Sequence, residues 1–65
     1  MSQKNDVLNY IKTHGSITNR DAARDLECYR LSARVLDLRD DLIPIVTTME
    51  TNPETGSRYA RYTLG

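Results

Sequence analysis

The residues of this chain whose type and spacing favour a specific interaction are arginines. Arg30 and Arg34 lie one helical turn apart, and Arg58 stands beside a tyrosine in the last part of the sequence. A guanidinium group carries a permanent positive charge and five N–H donors, which suit phosphate oxygens and the acceptor edge of guanine. These arginines are candidates for contact with nucleic acid, provided that the fold places them on a surface that can reach it.

Catalysis and metal binding have no comparable set of residues. The single cysteine, Cys28, cannot form an internal disulfide, and together with the single histidine, His14, it falls short of the four ligands of a structural zinc site. His14 has no acid or nucleophile at a suggestive spacing, and Cys28 is predicted to be a small buried hydrophobic residue. We expect a protein that is not an enzyme, without cofactor, metal or small-molecule substrate.

The charge composition opposes a nucleic-acid partner. Nine Lys and Arg residues balance nine Asp and Glu residues, so the formal net charge is zero. DNA-binding proteins usually carry an excess of positive charge, because neutralised phosphates supply most of their non-specific affinity. A binding surface must therefore depend on how the charges are distributed. Asp37, Asp40 and Asp41 follow Arg30 and Arg34, which leaves the net positive charge in the N-terminal half of that segment.

The chain length predicts one small domain over residues 1–65, since a chain of this size buries only about 60% of its unfolded surface. No apolar run approaches the roughly 18 residues of a membrane span, and the first residues lack the apolar region of a signal peptide. We expect a cytoplasmic protein with no membrane partner.

Two helices are predicted in the first part of the chain. Apolar residues at i, i+1 and i+4 predict a helix over about 3–14, which Gly15 would end by taking a positive φ. Thr18 is predicted to begin the second helix, because Asp21 follows three residues later in a pattern close to a capping box. The β-branched segment 16–18 is too short to form more than one extended pairing.

A third helix is predicted over about 30–41, where apolar residues recur at spacings of four, three and four. The members of this stripe are Leu31, Val35, Leu38 and Leu42. We expect the stripe to pack on apolar residues of the first helix and of the C-terminal part, namely Val7, Leu8, Ile11, Ile45, and Tyr62 or Leu64.

The C-terminal part predicts a β-hairpin. Residues 45–49 are strongly β-forming, residues 58–64 alternate in the manner of a strand, and the segment between them is rich in turn formers. Pro44 would end any preceding helix. The predicted fold is α+β, with three helices followed by a two-stranded β-hairpin.

Three helices followed by a hairpin are the element order of a winged helix-turn-helix domain. Within that order, the segment RLSARVLDLR at 30–39 is similar to the RLxARIxDLR recognition helix of small winged helix-turn-helix proteins of bacteriophages and prophages. The resemblance extends over residues 7–18, 28–39, 43–45 and 62–64. Two departures are Glu27, where that family often has glycine, and Asp40–Asp41, where it often has Lys or Arg.

The resemblance implies double-stranded DNA as the partner. The third helix would enter the major groove, and the wing at about 50–58 would contact the backbone or the minor groove. The candidate contact residues are Arg30, Ala33, Arg34, Tyr29, Arg58, Arg20, Thr18 and Asn19. Simpler explanations stay open for some of them, because Arg34 can pair with Asp37, Thr18 can act only as a helix cap, and Arg20 can belong to a solvated face of mixed charge.

The resulting hypothesis is a regulator of transcription or recombination, encoded by a phage or prophage. One such module buries only about 600–1,000 Å² on DNA, so two copies on adjacent half-sites, a homodimer for example, are expected. Leu36 lies away from the core stripe and is a candidate contact for the second copy or for another partner. The alternative is a protein–protein interaction module on the same scaffold that does not bind DNA.

Overall fold

The computed structural model describes residues 3–65 and contains three helices and three strands within them. In chain order these elements are α1 (Gln3–His14), β1 (Ile17–Thr18), α2 (Asn19–Leu26), α3 (Leu31–Asp40), β2 (Ile45–Thr51) and β3 (Arg58–Leu64). The predicted α+β class, the three helices and the hairpin are therefore confirmed. Gly15 ends α1 with φ 90°, as predicted.

The sheet has three antiparallel strands in the order β1-β3-β2, so the predicted hairpin, β2 and β3, is extended by a third strand that the prediction lacked. The short β1 adds to the outer edge of β3, where Ile17 pairs with Tyr62 and Thr18 pairs with Arg61. Both residues of β1 are buried, Ile17 completely. Two residues carry too weak a sequence signal to identify a strand, but an open edge of β3 and a place in the core are enough to hold them.

The core lies between α1, α3 and the sheet. Its buried hydrophobic residues are Val7, Ile11, Ile17, Ala22, Cys28, Leu31, Val35, Leu38, Ile45 and Tyr62. The predicted packing of the α3 stripe on α1 is confirmed for Leu31, Val35 and Leu38, and Tyr62 closes the core while Leu64 stays partly exposed. Cys28 is buried as predicted.

Leu42 is a correction to the predicted stripe, because its side chain is 92% exposed. α3 ends at Asp40, and Leu42 then takes a left-handed conformation with φ 64°. The N–H of Leu42 donates to the carbonyl of Arg39 at 2.9 Å, and the N–H of Ile43 donates to that of Leu38 at 3.1 Å. These two hydrogen bonds form a Schellman motif, which turns the chain out of the helix before the fourth apolar position can reach the core.

Glu27, at the end of α2, is the other non-glycine residue with a left-handed backbone, and its φ is 52°. The following N–H, that of Cys28, donates to the carbonyl of Ala22 at 3.0 Å. Glycine is the usual residue at such a helix end, since it has no Cβ to clash. The turn between α2 and α3 therefore keeps the backbone shape that glycine favours, and Glu27 carries the strain.

Leu38→Ala should lower the free energy of unfolding by about 2–5 kcal/mol, because it removes a fully buried side chain from the core. Leu42→Ala is the matched control, with the same chemical change at an exposed position, and should change it by less than about 0.5 kcal/mol. Urea unfolding of the three proteins measures both. Equal losses in the two variants would contradict this assignment of the core.

Glu27→Gly should raise the free energy of unfolding by about 0.5–1 kcal/mol, because relief of the left-handed strain exceeds the backbone entropy that glycine loses on folding. Glu27→Ala removes the same side chain without relieving the strain and serves as the control. Thermal unfolding of both variants should therefore place the glycine variant above the alanine variant. The reverse order would show that the turn is not strained at this residue.

Candidate nucleic-acid interface

Thr18 fixes the start of α2 through a capping box. Its Oγ1 accepts a hydrogen bond from the N–H of Asp21 at 3.2 Å, and the carboxylate of Asp21 accepts one from the N–H of Thr18 at 3.2 Å. The predicted cap is therefore confirmed. Thr18 is buried, so its hydroxyl serves the helix, whereas Asn19 and Arg20, the next two residues, are exposed.

Arg30 is the cap residue before α3, because the helix begins at Leu31, one residue later than predicted. Its backbone is not helical, and its side chain makes no capping hydrogen bond. Arg30 is exposed, and Tyr29 beside it is 80% exposed. The turn between α2 and α3 therefore presents an arginine and a tyrosine to solvent at the N-terminus of α3.

One flank of α3 faces α1 and carries paired charges. Arg34 forms an ion pair with Asp37 at 3.2 Å, and Lys4 of α1 pairs with Asp41 just after α3. The hydrogen bond that Lys4 donates to Asp41, followed by the negative charge of Asp41, raises the pKa of Lys4 above its usual value. Arg34 Nε is enclosed without a hydrogen-bond partner in the described residues. The alternative in which Arg34 pairs with Asp37 is thus the arrangement observed.

The opposite flank of α3 faces the wing, which is the β2–β3 hairpin. Arg39 donates to the carbonyl of Ile45 from Nη2 at 3.1 Å and from Nε at 3.3 Å, and to Oγ1 of Thr47 at 2.8 Å. Sequence reasoning missed this role of Arg39, because its acceptors lie on a strand beyond the turn and leave no local signal. Arg39 therefore joins α3 to the wing.

The outward face of α3 lies between these two flanks. At about 100° per residue, Ala33 and Asp40 lie nearest its axis, with Leu36 towards the wing and Asp37 towards α1. Leu36 is 58% exposed, and Ala33 is partly buried. The outward face is small, apolar and acidic, since the arginines of α3 lie on its flanks and are occupied there.

A hydrogen-bonded cluster ties the wing to the start of β1. Glu50 accepts hydrogen bonds from Tyr59 and Arg61, both at 2.9 Å, and Arg61 also donates to Oγ of Ser16 at 2.9 Å. The hydrogen bond from Arg61, followed by that from Tyr59, lowers the pKa of Glu50. Arg58, at the start of β3, is exposed and takes no part in the cluster.

An open groove separates the start of α2 from the wing, with a volume of about 590 Å³. Its lining includes Asn19 and Arg20 on one side and Asn52 and Ser57 on the other. The groove thus brings three of the predicted contact residues, Thr18, Asn19 and Arg20, beside the wing tip, whereas Arg30, Ala33 and Arg34 lie outside its lining.

Arg24, one turn after Arg20, is held by acids of its own helix. Its guanidinium pairs with Asp21 at 3.1 Å and with Asp25 at 2.9 Å, and the hydroxyl of Tyr10 donates to Asp25 at 2.7 Å. The hydrogen bonds from Arg24 and then from Tyr10 lower the pKa of Asp25 from 3.8 to about 2. α2 therefore has one engaged arginine and one, Arg20, that is not.

The seven arginines divide into two groups. Four donate to groups of the protein itself, namely Arg24, Arg34, Arg39 and Arg61. Three make no ion pair or side-chain hydrogen bond with residues 3–65, namely Arg20, Arg30 and Arg58. All three unpaired arginines are among the contact residues predicted from the sequence.

Other kinds of site are not found in the described part of the chain. No group of three or more His, Cys, Asp or Glu side chains among residues 3–65 could hold a metal ion. None of the helices between residues 3 and 65 combines the length and the apolar character needed to span a membrane.

Acid should weaken the contacts of Asp25 with Arg24 and Tyr10. A carboxyl group whose pKa is lowered by folding stabilises the protein above its unfolded pKa, and this stabilisation is lost as the pH falls through the folded pKa. Asp25→Asn should therefore lower the melting temperature at pH 7, and its difference from the parent protein should shrink between pH 3.8 and about 2.

Thermal unfolding monitored by circular dichroism from pH 7 to pH 2 measures this difference. Asp40→Asn is the matched control, because Asp40 is exposed and forms no ion pair with the described residues. Its melting temperature should stay near that of the parent protein throughout. A difference for Asp25→Asn that is unchanged at pH 2 would contradict the assignment.

Comparison with known proteins agrees with this arrangement of helices and wing. A family model described as a winged helix-turn-helix domain matches residues 2–65. The comparisons with curated proteins and with solved structures gave no significant match. The family match covers nearly the whole chain, and the element order α1, β1, α2, α3, β2, β3 is in keeping with it. The chain belongs to the winged helix-turn-helix domain family.

Proposed function

We propose that this protein binds double-stranded DNA, with α3 in the major groove and the wing against the neighbouring backbone or minor groove. A winged helix-turn-helix domain suggests DNA binding, and an α-helix fits the major groove of B-form DNA. The observation that carries the proposal is the set of three unpaired arginines, Arg20, Arg30 and Arg58. They belong to α2, to the cap of α3 and to the wing, which are the parts that a winged helix places near DNA.

The zero net charge is compatible with this function because most acids are held in ion pairs, whereas three arginines are not. Ion pairs within the protein occupy five acids, Asp21, Asp25, Asp37, Asp41 and Glu50. These pairs are close to neutral, so they contribute little field at a distance. Arg20, Arg30 and Arg58 remain available for phosphates or bases, whereas Asp40 on the outward face of α3 opposes phosphate and should limit non-specific affinity.

The predicted contacts have different roles in this proposal. Arg30 is proposed to read a base edge, with Ala33 and Tyr29 near it, and Arg58 and Arg20 are proposed to bind phosphates. Arg34 would have to leave Asp37 to reach a phosphate. The change is inexpensive, because partly exposed ion pairs contribute only about 0–1 kcal/mol.

The remaining candidates lie at the start of α2. Asn19 is exposed there and could reach the backbone of DNA with Arg20, while Thr18 contributes by fixing the helix start. We propose that residues 1–65 act as one domain and that two copies bind adjacent half-sites, since a single module buries only about 600–1,000 Å² on DNA. The proposed role is regulation of transcription or recombination of a phage or prophage.

Titration of DNA binding with salt tests the proposal. The affinity for a random-sequence duplex should fall steeply with salt, and Arg20→Ala, Arg30→Ala and Arg58→Ala should each weaken binding. A variant that has lost a phosphate contact should also reduce the slope of log K against log salt by about 1. Fluorescence anisotropy with a labelled duplex measures affinity and slope.

Arg24→Ala is the matched control, because it removes an equal charge one turn from Arg20 but from an arginine held by Asp21 and Asp25. It should change DNA affinity less than the other three variants do. No binding at low salt would overturn the proposal and favour the protein-interaction module, for which the exposed Tyr29, Leu36 and Leu42 are the supporting observation. Equal losses of affinity in all four variants would contradict the division of the arginines into paired and unpaired groups.

A further inference from the structure

We propose that Leu36 determines sequence specificity by contacting the C5-methyl groups of thymines in the major groove. This inference rests on the proposed function and names the chemistry that α3 would recognise. It concerns Leu36 on the wing side of the outward face of α3, which sequence reasoning had connected with a second copy of the chain or another partner.

Leu36 is an exposed residue of α3, the helix that is proposed to face the base edges. It lies in the middle of α3, is 58% exposed and does not belong to the core. At about 100° per residue, it lies about 60° from Arg39, which faces the wing, and about 60° from Ala33 on the other side. It lies about 160° from Arg34, which faces α1. Leu36 therefore points between the outward direction and the wing.

The neighbouring side chains limit what this face can read. Arg34 is paired with Asp37, and Arg39 donates to Ile45 and Thr47. The centre of α3 therefore has no unoccupied guanidinium for the acceptor edge of guanine. Leu36 and Ala33 offer only carbon atoms, whose complement in the major groove is the methyl group of thymine.

Duplex DNA is favoured over a second copy of the chain as the partner of this face. A symmetric contact centred on Leu36 would use the same face of both copies. Asp40 lies about 40° from Leu36 around the helix, so each copy would bring a carboxylate towards the other. DNA bases present no such charge, and the unpaired Arg20 and Arg58 would bind phosphates beside the groove while Arg30 reads a base edge.

The experiment begins with selection of binding sequences from a random duplex library by the full chain. Each thymine of a selected duplex is then replaced by deoxyuridine, which removes only the methyl group. At one or two positions the replacement should weaken binding by the parent protein about fourfold, the effect of one buried methyl-sized group. Leu36→Ala should bind the thymine duplex more weakly and should respond to the replacement by less than about 1.5-fold.

Leu42→Ala is the matched control, since Leu42 is an exposed leucine that lies outside α3. It should retain the full response to deoxyuridine, and circular dichroism should show both variants folded. The inference is overturned if no thymine position responds, if Leu36→Ala responds as the parent does, or if sedimentation shows that Leu36→Ala dissociates a dimer without changing the response. A chain that binds no duplex at low salt would instead refute the proposed function itself, and this inference with it.

Discussion

The packing of α3 on α1 is the interaction on which the rest of the structure depends. Leu31, Val35 and Leu38 bury one side of α3 against Val7 and Ile11, so the rotation of α3 about its own axis is fixed. That rotation decides which residues face outward and which face the wing or α1. Because a chain of 65 residues has only a small core, a loss in this contact would affect the binding surface and the fold together.

Charge pairing acts on the surface that this packing leaves exposed. Acids near Arg24, Arg34 and Arg61 hold those side chains against the protein, while Arg20, Arg30 and Arg58 have no such acids bound to them in residues 3–65. Composition alone cannot distinguish these groups, since both consist of arginines in a chain of zero net charge. The surface is positive only at selected places, which favours a binder whose affinity depends on a few contacts.

The sequence predicted the features that depend on local spacing, and the structure supplied those that depend on distant residues. The helices and the capping box at Thr18 follow from periodicity and from residues three apart. The third strand was missed because β1 exists only by pairing with β3, and Leu42 was misassigned because periodicity does not reveal where a helix unwinds. For the candidate site, the unpaired arginines were all predicted, whereas the engagement of Arg39 by β2 was not.

The hydrogen bonds of Arg39 make α3 and the wing a single mechanical unit. The guanidinium spans the end of α3, Ile45 and Thr47, so a rotation of the helix would strain the hairpin, and a bend of the hairpin would pull on the helix. Because α3 and the wing already have a fixed relative orientation, little conformational entropy would be lost when both contact DNA in the proposed complex. In the proposed complex with DNA, a change at Thr47 should therefore alter the contacts that α3 makes.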